Sequence, residues 1–149
     1  MAECRELAGF LERSLATLRR TTPAHHRALG RICDGLHVQV STPDESFGVG
    51  VRAGSWRIGV TSATPEDGAR VVWVETTRAT VVELLRGTTT ALRCLRDGTL
   101  RVRGPSSALP GLDEALRWYA HGVLRCPEHP SLFEEFTRGD DHDARQLLT

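Results

Sequence analysis

The sequence predicts one α+β domain, in which a mainly antiparallel sheet of five to six strands is covered by helices on one face. Near the N-terminus, apolar residues recur every three or four positions, which is the period of an amphipathic helix. From Leu36 onward they recur at every second position, which is the period of a strand with one buried face. Short turns separate the strand segments, as in an antiparallel meander.

Two helices are predicted before the sheet. The stripe of the first is formed by leucines and one phenylalanine, and Thr21, Thr22 and Pro23 end the helix. The second carries Leu29 and Ile32 and stops near Gly35, a residue that is common after a helix.

Four strands follow, predicted at residues 36–41, 47–52, 56–61 and 70–76. In the first, Leu36, Val38 and Val40 alternate with polar residues. Residues 42–45 and 53–55 supply short turns, so these strands are expected to pair with their neighbours in the chain.

The second half is predicted to begin with a helix that is capped by Thr76 or Thr77 and ends at Gly87. A hairpin is predicted next, with Leu92 and Cys94 on one arm, Leu100 and Val102 on the other, and Asp97-Gly98 as its turn. A long helix capped by Ser106 or Ser107 comes after it. Ser131 and Glu134 then form a capping box for a short helix through Phe136. We therefore expect a single domain over residues 1–138 and a flexible tail over 139–149.

Two segments in this half resemble a known family. The helix end "VVELLRG" and the segment "DGTLRVRG" supply Leu84, Leu85 and Gly87, then Gly98, Leu100, Val102 and Gly104. This arrangement resembles the sterol-carrier-protein-2 (SCP2) family, in its bacterial-type stand-alone form, over roughly residues 36–120. Pro105 departs from the family, which usually has Asp there, and the chain after His121 has no counterpart in the pattern.

The resemblance implies binding or transfer of an apolar small molecule in an internal cavity, without catalysis. The ligand would be a lipid, an acyl chain or a sterol-like compound, and no cofactor or metal is expected. The residues expected to exclude water from it are Leu84, Leu85, Leu92, Leu100, Leu112, Leu116 and Trp118. Glu75 and Arg78 are candidates for polar contacts at the cavity mouth, or for a solvated pair.

Two other classes of function stay open. The chain could be an accessory or oligomerisation module that binds a second copy or a separate protein. It could also be an enzyme for an apolar substrate, with Tyr119 and His121 as candidate groups. Trp56, Trp73 and Trp118 fit core packing better than a ligand wall.

Charge and cysteine content limit the partners. The 19 basic and 19 acidic residues balance, which disfavours nucleic acid, and no apolar run is long enough for a membrane span, so we expect a soluble cytoplasmic protein. Every basic residue is Arg, which indicates either oxyanion recognition or a composition bias. Cys126 and His129 could form half of a zinc site, or lie in a loop with a buried Cys and an exposed His.

Overall fold

The computed structural model describes residues 6–59 and 68–147, with side chains described as far as residue 138. The chain forms two compact units, residues 30–116 and residues 1–29 together with 117–149. Across the described ranges, no helix combines the length and apolar character that crossing a bilayer requires. In chain order the elements are α1 (Leu7–Thr21), α2 (Pro23–Ile32), β1 (Leu36–Ser41), β2 (Ser46–Arg52), β3 (Ser55–Gly59), β4 (Arg70–Glu75), α3 (Arg78–Arg86), α4 (Ala91–Asp97), β5 (Arg101–Arg103), α5 (Leu109–Val123) and α6 (His129–Leu147).

The unit of residues 30–116 contains the sheet, with strand order β3-β2-β1-β4-β5. The meander β1-β2-β3 is antiparallel as predicted, and β5 runs antiparallel to β4. β4 runs parallel to β1, so the sheet is mixed although mainly antiparallel. The predicted end of the third strand at Val60 and Thr61 lies outside the described residues.

The strand registers give the sheet one apolar and one polar face. Val38 is paired with Val49 and with Val72, and Val74 with Val102, so these side chains share the apolar face. That face packs against the start of α5, in a core formed by Leu36, Val72 and Ala108 with Val38, Val74, Val102 and Leu112 around it. The helix-covered face expected from the sequence is therefore present.

The helix α3 begins and ends as predicted. The Thr77 side chain accepts a hydrogen bond from the backbone N–H of Thr80, and Gly87 ends the helix in the left-handed region with φ of 74°. Arg86 lies in the last turn, where a positive charge interacts favourably with the helix dipole.

The predicted hairpin arm at Leu92 and Cys94 is wrong, because these residues lie in the helix α4. Thr90 caps its start and Gly98, with φ of 78°, ends it. Asp97-Gly98 is therefore a helix end, and β5 alone forms the strand predicted for the second arm. The helix α5 begins at Leu109, after a turn over residues 106–108. Ala108 directly precedes the helix, so neither Ser106 nor Ser107 occupies the capping position predicted for it.

The other unit is helical. In it, Phe10 of α1 stacks on Phe136 of α6, with ring centroids 4.5 Å apart. The helix α6 begins at His129, two residues before the predicted capping box, since Pro130 fits the first turn of a helix. It continues to Leu147, beyond the predicted end at Phe136.

Candidate functional site

The polar face of the sheet contains an open groove with a volume of about 900 Å³, within the unit of residues 30–116. This volume lies in the range of roughly 300–1,000 Å³ that is typical of small-molecule sites. The described residues that line it are Gln39, Ser41, Ser46, Trp73, Val74, Glu75, Leu95, Leu100, Arg101, Val102 and Arg103.

Two rows of side chains form the groove floor, because residues in register lie side by side on one face. In the first row, Trp73 lies between Gln39 and Arg103. In the second, Glu75 lies between Ser41 and Arg101. The floor therefore combines an aromatic ring, a carboxylate and two guanidinium groups within a few residues of β4 and β5.

Hydrogen bonds fix the polar side of the floor. The Gln39 side-chain amide donates to Ser46 Oγ at 3.1 Å, and its Oε1 lies 3.3 Å from His37 Nε2. Both His37 and Gln39 are buried, so these bonds satisfy polar groups that would otherwise lose their hydration. The glycines opposite them on β2, Gly48 and Gly50, have no side chain to fill this part of the face.

The apolar wall of the groove comes from α4 and the residues after it. Leu95 and Leu100 lie on either side of the left-handed Gly98. The Thr76 hydroxyl donates to the Thr99 carbonyl oxygen at 3.0 Å, which holds this segment against the end of β4. Trp73 is 49% exposed and Leu95 46% exposed, so a large apolar surface faces solvent here. The core packing that the sequence favours for Trp73 is therefore wrong.

Of the predicted ligand-binding residues, only Leu100 lines this groove. Leu84 and Leu85 are half-buried on α3, and Leu112 packs against the core on the apolar face. Leu92 and Leu116 are 66% and 53% exposed.

Trp118 lies on the part of α5 that belongs to the helical unit, edge-on to His25 at a centroid distance of 5.4 Å. Glu75, expected at a cavity mouth, does line the groove, whereas its predicted companion Arg78 is not among the lining residues. Sequence patterning missed the rest of the lining because most of it occupies the polar positions of the strands. The one signal for this groove in the sequence was Trp73. It is a large aromatic residue at a polar-face position of β4, since the valines on either side of it point to the apolar face.

The helical unit contains a buried polar cluster, the Ser14 network, formed by Ser14, Tyr119 and His129. Ser14 Oγ lies 2.6 Å from Tyr119 Oη and 3.1 Å from His129 Nε2. Burial raises the pKa of Tyr119 to about 12, and burial lowers the pKa of His129. Since Ser14 is completely buried, no substrate could reach it, and the network links α1, α5 and α6. Tyr119, a candidate in the enzymatic interpretation, is thus used in this internal hydrogen-bonded network.

The Cys126 and His129 pair has separate partners. The Cys126 thiol donates to the Gly122 carbonyl oxygen at 3.5 Å, while His129 bonds Ser14. His129 is buried, contrary to the exposed position expected for it. Within the described ranges, no group of three or more His, Cys, Asp or Glu side chains is arranged to hold a metal ion.

No protein-family model matches the sequence, and no curated protein matches it in sequence. Solved structures do match its fold. An SCP2-domain ubiquinone synthesis protein, UbiJ, shares 14% identity at a TM-score of 0.53, covering 76% of this chain and 88% of its own.

Two further similar structures have lower TM-scores. A conserved hypothetical protein of Thermus thermophilus with a suggested sterol-carrier role shares 21% identity at 0.46, covering 73% of this chain and 82% of its own. Sterol carrier protein 2 of Yarrowia lipolytica, in its apo form, shares 14% identity at 0.47, covering 71% and 88%. The resemblance found in the sequence is confirmed at the level of architecture, and this chain has the SCP2 fold.

Proposed function

We propose that this protein binds an apolar or amphipathic small molecule, a lipid, acyl chain or sterol-like compound, and does not change it chemically. The observation that carries the proposal is the groove on the polar face, in which the half-exposed Trp73 lies with Leu95 and Leu100. Covering apolar surface of this kind releases about 25 cal/mol per Å². Aromatic side chains are frequent in ligand sites because they offer a large, rigid apolar surface.

The shared fold supports the same class of ligand. One neighbour of similar fold, the SCP2-domain protein UbiJ, is a ubiquinone synthesis protein, and ubiquinone carries a long apolar tail on a polar head. A groove with one apolar wall and a polar floor is complementary to molecules of that kind.

The apolar residues predicted from the sequence offer a second location for the ligand. Leu92 and Leu95 both lie on α4 and are both well exposed, but only Leu95 lines the groove. They therefore form a matched pair of variants. If the groove holds the ligand, Leu95→Ala weakens binding and Leu92→Ala does not.

The test uses uncharged alcohols and the fluorescence of Trp73, isolated by subtracting the signal of a Trp73→Phe variant. We expect octanol and decanol to shift Trp73 emission to the blue. Decanol should bind up to about 15-fold more tightly, since each buried CH₂ contributes about 0.8 kcal/mol.

Affinity that does not depend on chain length would contradict the proposal. If only Leu92→Ala loses binding, the ligand site lies at the apolar residues predicted from the sequence and not in the groove. If no amphiphile binds and light scattering shows a dimer, the accessory or oligomerisation role is favoured instead.

A further inference from the structure

The two arginines of β5 face the same groove as Trp73. Arg101 and Arg103 alternate with Val102, whose side chain lies on the opposite, apolar face. Residues two apart on a strand are separated by about 6.6 Å, so both guanidinium groups can reach one small anion. Both arginines are exposed, and neither forms a salt bridge or side-chain hydrogen bond with another described residue.

The charges in the groove are unequally placed. Glu75 is the direct cross-strand neighbour of Arg101, and its carboxylate partly offsets that cation. Arg103 is opposite Trp73 instead, and so has no acidic neighbour in its row. The described lining residues carry two guanidinium groups and one carboxylate, which gives a net charge of +1. Because Glu75 lies beside Arg101, the positive potential is greatest near Arg103.

We propose that Arg103, assisted by Arg101, binds the anionic headgroup of an amphiphile whose apolar tail lies against Trp73, Leu95 and Leu100. The proposal rests on the function proposed above and adds the chemical class of the headgroup, a carboxylate or a phosphate. A guanidinium presents parallel N–H donors that match both groups, and such charge-assisted bonds are stronger than neutral ones. The headgroup lies over the Arg103–Trp73 pair, and the tail extends along the wall formed by α4.

The experiment compares ligands that share one tail and differ in the head. Decanol, decanoate, decyl phosphate and decyltrimethylammonium are titrated at neutral pH and low ionic strength, with Trp73 fluorescence as the readout. We expect decanoate and decyl phosphate to bind roughly tenfold more tightly than decanol, a preference that added salt reduces. Acetate and inorganic phosphate, which carry the charge without a tail, should bind far more weakly.

Three variants assign the preference to the arginines. Arg103→Gln should remove most of the anion preference, so that decanoate and decanol bind this variant with similar affinity. Arg101→Gln should have a smaller effect, because Glu75 already offsets that cation. Glu75→Gln should increase the affinity for decanoate. Arg93→Gln, an exposed arginine of α4 that does not line the groove, is the control and should change nothing.

The outcomes separate this proposal from the function on which it rests. Equal affinity for decanol and decanoate, or an anion preference that survives both Arg101→Gln and Arg103→Gln, overturns the headgroup assignment while tail binding stands. Acetate or phosphate binding as tightly as decanoate, and lost in Arg103→Gln, identifies a site for free anions and also overturns it. If none of the tailed ligands binds, both proposals are wrong.

Discussion

The Ser14 network offers the sharpest prediction about stability. In Ser14→Ala, the Tyr119 hydroxyl and the His129 imidazole both lose their partner, at sites originally 2.6 Å and 3.1 Å away. Each buried polar group left without a partner costs about 1–3 kcal/mol. The two rings have centroids 6.5 Å apart and can recover part of this by approaching each other. We therefore expect a loss of about 2–4 kcal/mol in the free energy of unfolding.

The measurement is urea unfolding of the wild type and four variants, followed by far-UV circular dichroism. Ser131→Ala is the matched control, because Ser131 is exposed in the first turn of α6. Tyr119→Phe removes one bond and leaves Ser14 paired with His129, so it should cost less, about 1 kcal/mol. In the double variant Ser14→Ala/Tyr119→Phe, the cost should be smaller than the sum of the single costs, since the unpaired tyrosine hydroxyl is gone. A Ser14→Ala protein as stable as Ser131→Ala would refute the reasoning.

Two further predictions concern pH and glycine. Burial lowers the pKa of His129, and burial together with Arg19 lowers that of His26, so the unfolded state binds more protons than the folded state just below pH 6.5. The contribution of the two histidines to stability is complete above pH 6.5 and is lost as the pH falls toward their lowered pKa values. In a His129→Gln protein, the free energy of unfolding should therefore change less between pH 6.5 and pH 5 than in the wild type. An unchanged slope would contradict this. Gly87 and Gly98 have φ of 74° and 78° with open space where a Cβ would lie, so Gly87→Val and Gly98→Val should each cost at least ~1 kcal/mol through backbone strain alone. Thermal melts beside a decanol titration check this, and binding lost at an unchanged melting temperature would show that the glycine serves the ligand instead.

The strands of the sheet could be predicted wherever the alternation of apolar residues is compatible with only one structure. Leu36, Val38 and Val40 alternate over a whole strand and are followed by a short turn, which only a meander satisfies. The parallel partner of β1 was not visible, because alternation specifies which face is buried and not which strand lies alongside. The prediction for the segment of α4 was wrong for a different reason. Leu92 and Cys94 are two apart, and Asp97-Gly98 is found both in hairpin turns and at helix ends, so in seven residues the local signals agree with either structure.

The candidate site was less predictable than the fold. Hydrophobic patterning finds residues that leave water in the folded chain, and so it selected Leu112, which packs in the core. The groove on the polar face is lined by half-exposed side chains, and hydrophobic patterning does not select such residues. Arg101 and Arg103 read as ordinary solvated positions in the sequence, and only the pairing of β4 with β5 brings them beside Trp73 and Glu75.

The position of β1 in the sheet has a consequence for synthesis of the chain. Its antiparallel partner β2 follows within a few residues, whereas its parallel partner begins only at Arg70. Closing the shorter loop costs less entropy, so the meander is expected to form first, both in refolding and on the ribosome. Until β4 emerges, one edge of β1 presents unpaired N–H and C=O groups next to a strip of valines, which is the type of edge that recruits strands from other chains. Aggregation during expression should therefore respond most to changes that delay or weaken the docking of β4.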